Sequence, residues 1–186
     1  MEDREIVELY WRRDDRAVAE TDAKYGPYCR AIAGRILETR EDAEECVNDT
    51  WLRAWNAMPP RRPAVLSAFL GRITRNLSLS RYRAARRDKR GGGETALALS
   101  ELEECLPGGV EPEKAWDARR LAECLDAFLR GLPEGERALF LGRYWYLYSA
   151  AELARRFGLR EGAVRTRLYR CRNRLRAYLE EEGITV

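Results

Sequence analysis

The sequence predicts an all-α protein: two small helical domains joined by a flexible linker, the C-terminal one containing a helix-turn-helix. Three observations predict it. Apolar residues recur at helical spacing along most of the chain, and the alternation that marks strands is nearly absent. The stretch GGGETALALSELEECLPGGVEPE, punctuated by Gly91-Gly92-Gly93, Pro107-Gly108-Gly109 and Pro112, interrupts that pattern as a linker would. SAAELARRFGLREGAVRTRLYRCRNRL then reads as a helix, a short Gly-containing turn and a second helix. The expected divisions are residues 1–90, a linker over 91–112, and 113–186.

A first helix is expected from roughly Glu2 to Ala23, anchored by Ile6, Leu9, Tyr10 and Val18, and a second after Gly26-Pro27. TREDAEECVNDTWLRAWNAM forms the third, with Thr39 as N-cap and acids in the first turn, and stops at Pro59-Pro60. The fourth follows Pro63 and carries LSAFLGRITRNLSLSRYRAARR. For the middle of the linker two alternatives stand, a partly helical segment or one docked elsewhere. In the second domain KAWDARRLAECLDAFLRGL is helical and ends at Gly131-Leu132-Pro133; PEGERALFLGRYWYLY follows, with Pro133 near its start. Ser149 with Glu152 three residues on is a capping box, Gly158 ends that helix, and Gly158-Leu159-Arg160 turns into the last.

Charge is segregated. The net formal charge is only +3, yet Arg72 to Arg90 holds eight cations against Asp88, and Arg160 to Arg176 holds seven against Glu161. Between them, Glu94 to Asp117 holds seven acids against Lys114. Two basic blocks suit two contacts with a polyanion. Of the 34 basic residues only three are Lys, a bias that genome composition could also produce, and Arg is the better reader of phosphate and guanine. The absence of His removes Ser-His-Asp and Cys-His catalysis and His-containing zinc sites. Five scattered cysteines without a CxxC pair read as reduced, mostly buried thiols of a cytoplasmic chain. No apolar run approaches the roughly 18–20 residues of a membrane span, and the charged start MEDREIVELYWRRDD lacks the apolar core of a signal peptide.

The last helix, EGAVRTRLYRCRNRLRAYL, separates into faces. At about 100° per residue, Val164, Leu168, Cys171, Leu175 and Leu179 share one side. The opposite side shows Thr166, Tyr169, Arg170 and Asn173, flanked by Arg165, Arg172 and Arg176 on one edge and Arg167 and Arg174 on the other. Such a strip suits base edges in a major groove, and its rails suit phosphates. Alone, an Arg-rich helix is as readily a solvated face; behind a helix-turn it is the recognition helix. The third predicted helix carries an acidic stripe, Glu38, Asp42, Glu45 and Asp49, with Asn48 beside it and Arg53 one turn beyond. It too reads as a solvated face; a metal-binding nuclease site lacks the further ligands it would need.

Three blocks in order resemble the bacterial RNA polymerase sigma factors of the sigma-70 class, in their compact extracytoplasmic-function (ECF) group. REDAEECVNDTWLRAWNAMP resembles the block D-A-E-D-x-V-Q-E-x-F-L-R-A-W-x-x-x-P. LSAFLGRITRNLSLSRYRAARR resembles F-x-x-W-L-x-R-I-A-R-N-x-x-x-D-x-x-R-R-x-R, with Ser80 at the Asp and with Leu70-Gly71 read against its Trp-Leu, which leaves the aromatic position empty. LPEGERALFLGRYWYLYSAAELARRFGLREGAVRTRLYRCRNRLRAYL resembles the family's third block, with Arg165-Thr166 for Lys-Ser and Arg160-Glu161 for Pro-x.

The resemblance implies a non-enzymatic initiation factor that binds core RNA polymerase. Asp42, Glu45, Asn48 and Asp49 would dock the beta-prime coiled coil. Arg72, Arg75, Asn76, Ser80, Arg81 and Arg83 would hold the melted −10 strand. Arg143, Arg165, Thr166, Arg167, Tyr169 and Arg170 would contact the −35 element, Arg143 gripping phosphate. It implies no catalytic residue, metal or cofactor. The partners are the polymerase, promoter DNA and, as for other members, an anti-sigma factor, with no membrane and a monomer when free. Two rival readings remain: a dimeric repressor, which leaves the first basic block unexplained, and a nucleic-acid enzyme using the carboxylates around Asp49.

Overall fold

The computed structural model describes residues 1–86, 93–106 and 115–184. Among them it contains nine helices and no strand: α1 (Asp3–Trp11), α2 (Arg16–Ile36), α3 (Arg40–Ala57), α4 (Leu66–Arg86), α5 (Glu94–Glu103), α6 (Ala115–Gly131), α7 (Glu134–Tyr144), α8 (Ala150–Phe157) and α9 (Glu161–Glu181). They form two compact units, Met1–Gly91 and Gly92–Val186.

In the first unit α2, α3 and α4 pack on one another and α1 closes against α2. The single helix expected over Glu2–Ala23 is two. The chain breaks after Trp11, Arg13 takes a left-handed φ of 54°, and the Asp14 carboxylate accepts the Arg16 amide (3.0 Å) to start α2. The expected break at Gly26-Pro27 does not occur; α2 runs through both residues. Interior proline costs about 3 kcal/mol of helix stability. Here one continuous stripe, Ala17, Thr21, Cys29, Ile32, Ala33 and Ile36, is buried across it, and the burial of several apolar groups at about 25 cal/mol per Å² outweighs the loss.

The contact between α3 and α4 is unusual in being polar and yet satisfied. Thr50, Thr74 and Ser78 each donate to the carbonyl four residues back, at 2.9, 2.9 and 2.8 Å. Thr50 also reaches Thr74 (3.2 Å) and Cys46 meets Ser78 (3.1 Å). Small side chains bonded to their own helices can be buried without orphaned donors and let the two helices approach closely.

In the second unit α9 receives α6, α7 and α8. Its buried residues are Val164, Leu168, Cys171, Leu175 and Leu179, the predicted core face. Ser149 and Glu152 form the expected capping box, and Gly158 ends α8 at φ 63°, a conformation glycine adopts without a Cβ clash. Phe128 lies between Phe140 and Tyr178, with ring centres 6.4 and 5.7 Å away. The stretch expected as a linker over 91–112 contains α5, which packs on α7 and buries Thr95 and Ala98, with Cys105 just beyond its end buried too. It therefore belongs with the second unit.

All five cysteines are free and buried. Burial pushes the Cys29 and Cys171 thiols up to about 11, so thiolate is scarce there at neutral pH and neither of these two is poised for redox chemistry. Among the described residues no helix is long and apolar enough to cross a membrane, and no cluster of acids and cysteines could hold a metal.

Candidate nucleic-acid interface

The α8–α9 pair presents α9 by its outward face. Thr166, Arg167, Tyr169 and Arg170 are all exposed, Tyr169 to 56%. The Thr166 hydroxyl donates to the Gly162 carbonyl (2.9 Å), a bond within its own helix that a base acceptor can replace. Arg165 is exposed and pairs with Glu161 one turn back, and Arg172 lies 5.8 Å from the Tyr169 ring centre. An exposed i,i+4 ion pair contributes about 0.3–0.5 kcal/mol, little enough for a phosphate to displace Glu161. Thr166, Tyr169 and Arg170 form a polar strip edged by Arg165 and Arg167, as the helical spacing predicts, whereas Arg172, expected on the same edge as Arg165, is only 13% exposed and turns inward.

Arg143 does not join them. It is 2% exposed, and its guanidinium donates to Glu94 at 2.8 Å and Glu101 at 3.2 and 3.3 Å, both on α5, and to the Tyr148 carbonyl at 3.1 Å. Burial alone would lower its pKa; the bonds from Glu101 and Glu94 outweigh that and raise it. The expectation that Arg143 grips phosphate is thus corrected: its charge is already neutralised inside the unit. A signal was present, since Arg143 falls four residues after Leu139 and three after Phe140, on the buried phase of α7. Arg172 and Tyr144 join the same cluster, Arg172 donating to the Tyr144 hydroxyl at 2.7 Å and the hydroxyl to Glu101 at 3.1 Å.

On the first unit Arg72, Asn76, Ser80 and Arg83 are exposed along one face of α4. Arg75 is half-buried beside them, and burial, with Arg83 adding, lowers its pKa. Arg87, Lys89 and Arg90, the rest of the basic block, lie outside the described residues. A cleft of about 890 Å³ opens beside this face, lined by Arg72, Ile73 and Asn76 together with Phe69, Arg53 and Arg61. The family's aromatic position is not empty. Counting back from Arg72-Ile73 puts Phe69 at the Trp, and its ring walls the cleft. Gly71, two residues on, is crowded by Tyr28; a Cβ there would stand 2.5 Å from the tyrosine hydroxyl.

Arg81 is on the other side. It follows Leu70, Thr74 and Ser78 on the α3-facing phase of α4, and it reaches Glu45 (2.8 Å) and Asp49 (2.6 Å) on α3. Its pKa is raised first by the Glu45 bond and then by Asp49. Two residues expected to serve docking and one expected to serve DNA therefore form a single ion triad, and we infer that Arg81 serves the acidic stripe. Arg81→Ala is expected to leave single-strand DNA affinity within twofold of wild type, roughly the scatter of a surface change. A larger loss, measured by fluorescence anisotropy with a labelled oligonucleotide, would return Arg81 to the DNA face.

The stripe itself begins later than expected. Glu38 precedes α3; Thr39 caps it, its hydroxyl accepting the Asp42 amide (3.1 Å) and donating to the Asp42 carboxylate (2.7 Å). Asp42, Glu45 and Asn48 are exposed and Asp49 is partly so, one band on the outer side of α3. Leu52 continues it at 59% exposure, an apolar position that charge patterning does not flag. Asn56 and Arg61 of the cleft were also not foreseen: Arg61 follows a Pro-Pro turn whose course no periodicity describes.

Two family profiles match this chain: Sigma-70 region 2 over residues 23–88, and Sigma-70, region 4 over residues 122–175. The ECF RNA polymerase sigma factor SigL of Mycobacterium tuberculosis is 30% identical over 155 residues, covering 81% of this chain and 82% of its own. The ECF RNA polymerase sigma factor SigE of Mycolicibacterium smegmatis is 31% identical over 153 residues, 82% of this chain. The chain spans 57% of that relative's length and 36% of the length of a probable RNA polymerase sigma factor, RfaY, of Xanthomonas campestris. SigW of Bacillus subtilis is 25% identical over 173 residues, covering 90% of this chain and 91% of its own.

Proposed function

This chain belongs to the ECF group of sigma-70 family RNA polymerase sigma factors, and on that premise we propose that it binds core RNA polymerase and directs promoter-specific initiation without catalysing a reaction itself. The observation that carries the proposal is the outward face of α9, with Thr166, Tyr169 and Arg170 exposed between arginine edges on a capped helix-turn-helix. In the −35 major groove Arg170 reads a guanine edge, Thr166 and Tyr169 meet bases, and Arg165 and Arg167 take phosphates.

The face of α4 and its cleft suit the −10 element as a single strand. Arg72 and Arg83 track the backbone, Asn76 offers both a donor and an acceptor, and the cleft over Phe69 takes an unstacked base. Asp42, Glu45, Asn48 and Asp49 dock the beta-prime coiled coil, with Arg81 holding two of the carboxylates in place. An anti-sigma factor would act by covering these same faces.

Co-elution of the chain with purified bacterial core RNA polymerase, followed by transcription from a randomised promoter library, tests the function. Failure to bind core while shifting duplex DNA as a dimer would replace it with a repressor. Within the library, Arg170→Ala is expected to cost about 1–3 kcal/mol and relax selection at one −35 position. Arg165→Ala weakens duplex binding across sequences and lowers the salt slope by about one unit. Unchanged selection by Arg170→Ala would show that another residue reads the base.

A further inference from the structure

The cleft beside α4 has a wall that α4 does not supply. Asn56, Ala57, Pro60 and Arg61, from the end of α3 and the turn after it, form that side. Two main-chain carbonyls bracket this wall, that of Trp55 before it and that of Arg61 at its end, and both are held by the end of α1. Trp11 donates its indole N–H to the Arg61 carbonyl (3.2 Å), and Arg13 donates to the Trp55 carbonyl (2.8 Å). Each of the two also makes a ring contact at the same place. The Arg62 guanidinium stacks 4.1 Å from the Trp11 ring centre while pairing with Glu8 at 2.9 Å, and the Arg13 guanidinium lies 5.2 Å from the ring of Trp55. Tyr10, buried, sets the Trp55 ring edge-on at 6.0 Å.

Arg13 does this from a left-handed backbone, φ 54°. A non-glycine residue seldom adopts this conformation and keeps it where the surroundings demand it. The same geometry breaks the N-terminal helix in two, so the chain gives up helical continuity to place Trp11 and Arg13 against the turn. The holding residues, Glu8, Tyr10, Trp11 and Arg13, lie before the Sigma-70 region 2 match, which begins at residue 23, while the turn they hold lies within it.

We infer that the end of α1 is a latch that sets the shape of the −10 cleft, with Trp11 and Arg13 as positioning residues for the nucleotide it takes. The wall they hold ends in Arg61, which lines the same cleft as Arg72 and Asn76. A turn released at both carbonyls widens the opening, so a base that was read by fit is no longer distinguished. The backbone contacts along Arg72 and Arg83 remain. The latch therefore governs selectivity at one nucleotide more than overall attraction for the strand.

The inference rests on the sigma reading, and the experiment separates the two. The full chain bound to core RNA polymerase selects from a randomised single-stranded ten-nucleotide DNA pool, and the bound fraction is sequenced. Wild type is expected to enrich a base at several positions. Trp11→Ala and Arg13→Ala are expected to co-elute with core as wild type does, because the docking band on α3 is untouched. They should lose about tenfold in enrichment at one position and little at the others, the scale of a hydrogen bond with its ring contact. Trp11→Phe, which keeps a ring beneath Arg62 but lacks the N–H, falls between. Because it preserves the packing, it also answers the question if Trp11→Ala does not fold. Profiles of Trp11→Phe and Arg13→Ala identical to wild type would overturn the latch while leaving the sigma reading intact. A uniform fall at every position would also overturn it, as plain loss of structure. Wild type that binds core but enriches nothing overturns the cleft as a reader and the latch with it; wild type that does not bind core overturns the sigma reading beneath both.

Discussion

Glu101→Ala is expected to destabilise the second unit by about 3–5 kcal/mol, the scale of removing one partner of a buried ion pair. Glu101 is 23% exposed and touches three groups at once: the Arg143 guanidinium, the Tyr144 hydroxyl and Arg172 at 3.5 Å. With it gone, Arg143, 2% exposed, keeps only the Tyr148 carbonyl and Glu94, whose side chain is 54% exposed and correspondingly screened. For a unit of this size each kcal/mol moves a melting temperature by about 4–8 °C. The thermal transition of the second unit should therefore fall by more than 10 °C or vanish, while that of the first stays put. Glu101→Gln keeps the shape and an acceptor oxygen and should lose less. A melt indistinguishable from wild type would mean that α5 contributes nothing to the unit's stability and that Arg143 is satisfied without it.

Asp49→Arg is expected to abolish co-elution with core RNA polymerase, a loss of about a hundredfold or more in affinity, as for reversal of a charge at the centre of an interface. Two effects add. The carboxylate proposed to dock is replaced by a cation, and the new guanidinium faces Arg81, which loses its 2.6 Å partner and is repelled toward Glu45. The fold should tolerate the change. The Asp49 and Glu45 side chains are 41% and 67% exposed, so these ion pairs are worth at most about 1 kcal/mol. A variant that folds and still co-elutes would place the docking surface elsewhere. Asp49→Asn separates the effects, since it removes the charge without adding repulsion.

How far the sequence reaches is best seen on α9 and α7. Every buried position of α9 is predicted by its spacing, and so is the exposed strip opposite. On α7 the same spacing puts Arg143 in the core phase, yet the family pattern points it at DNA. The choice depends on Glu94 and Glu101, 49 and 42 residues away, and no local signal shows that they arrive there.

The division has one physical cause. Periodicity, capping and turn chemistry act over about four residues, the reach of a helical hydrogen bond, so the sequence by itself determined the all-α class, the capping box at Ser149, the Thr39 cap, the helix-turn-helix and the faces of α9. Whether a cation on a helix is free or paired is a matter of what lies across the packing, set by distances of a few ångströms between residues far apart in the chain. Only the tertiary structure decided that Arg81 belongs to Glu45 and Asp49 and Arg143 to α5. It also decided that α2 runs through Pro27, where burial on both sides outweighs one lost hydrogen bond, and that the first helix stops at Trp11, where the last turn of α3 and the turn after it each offer a carbonyl to hold.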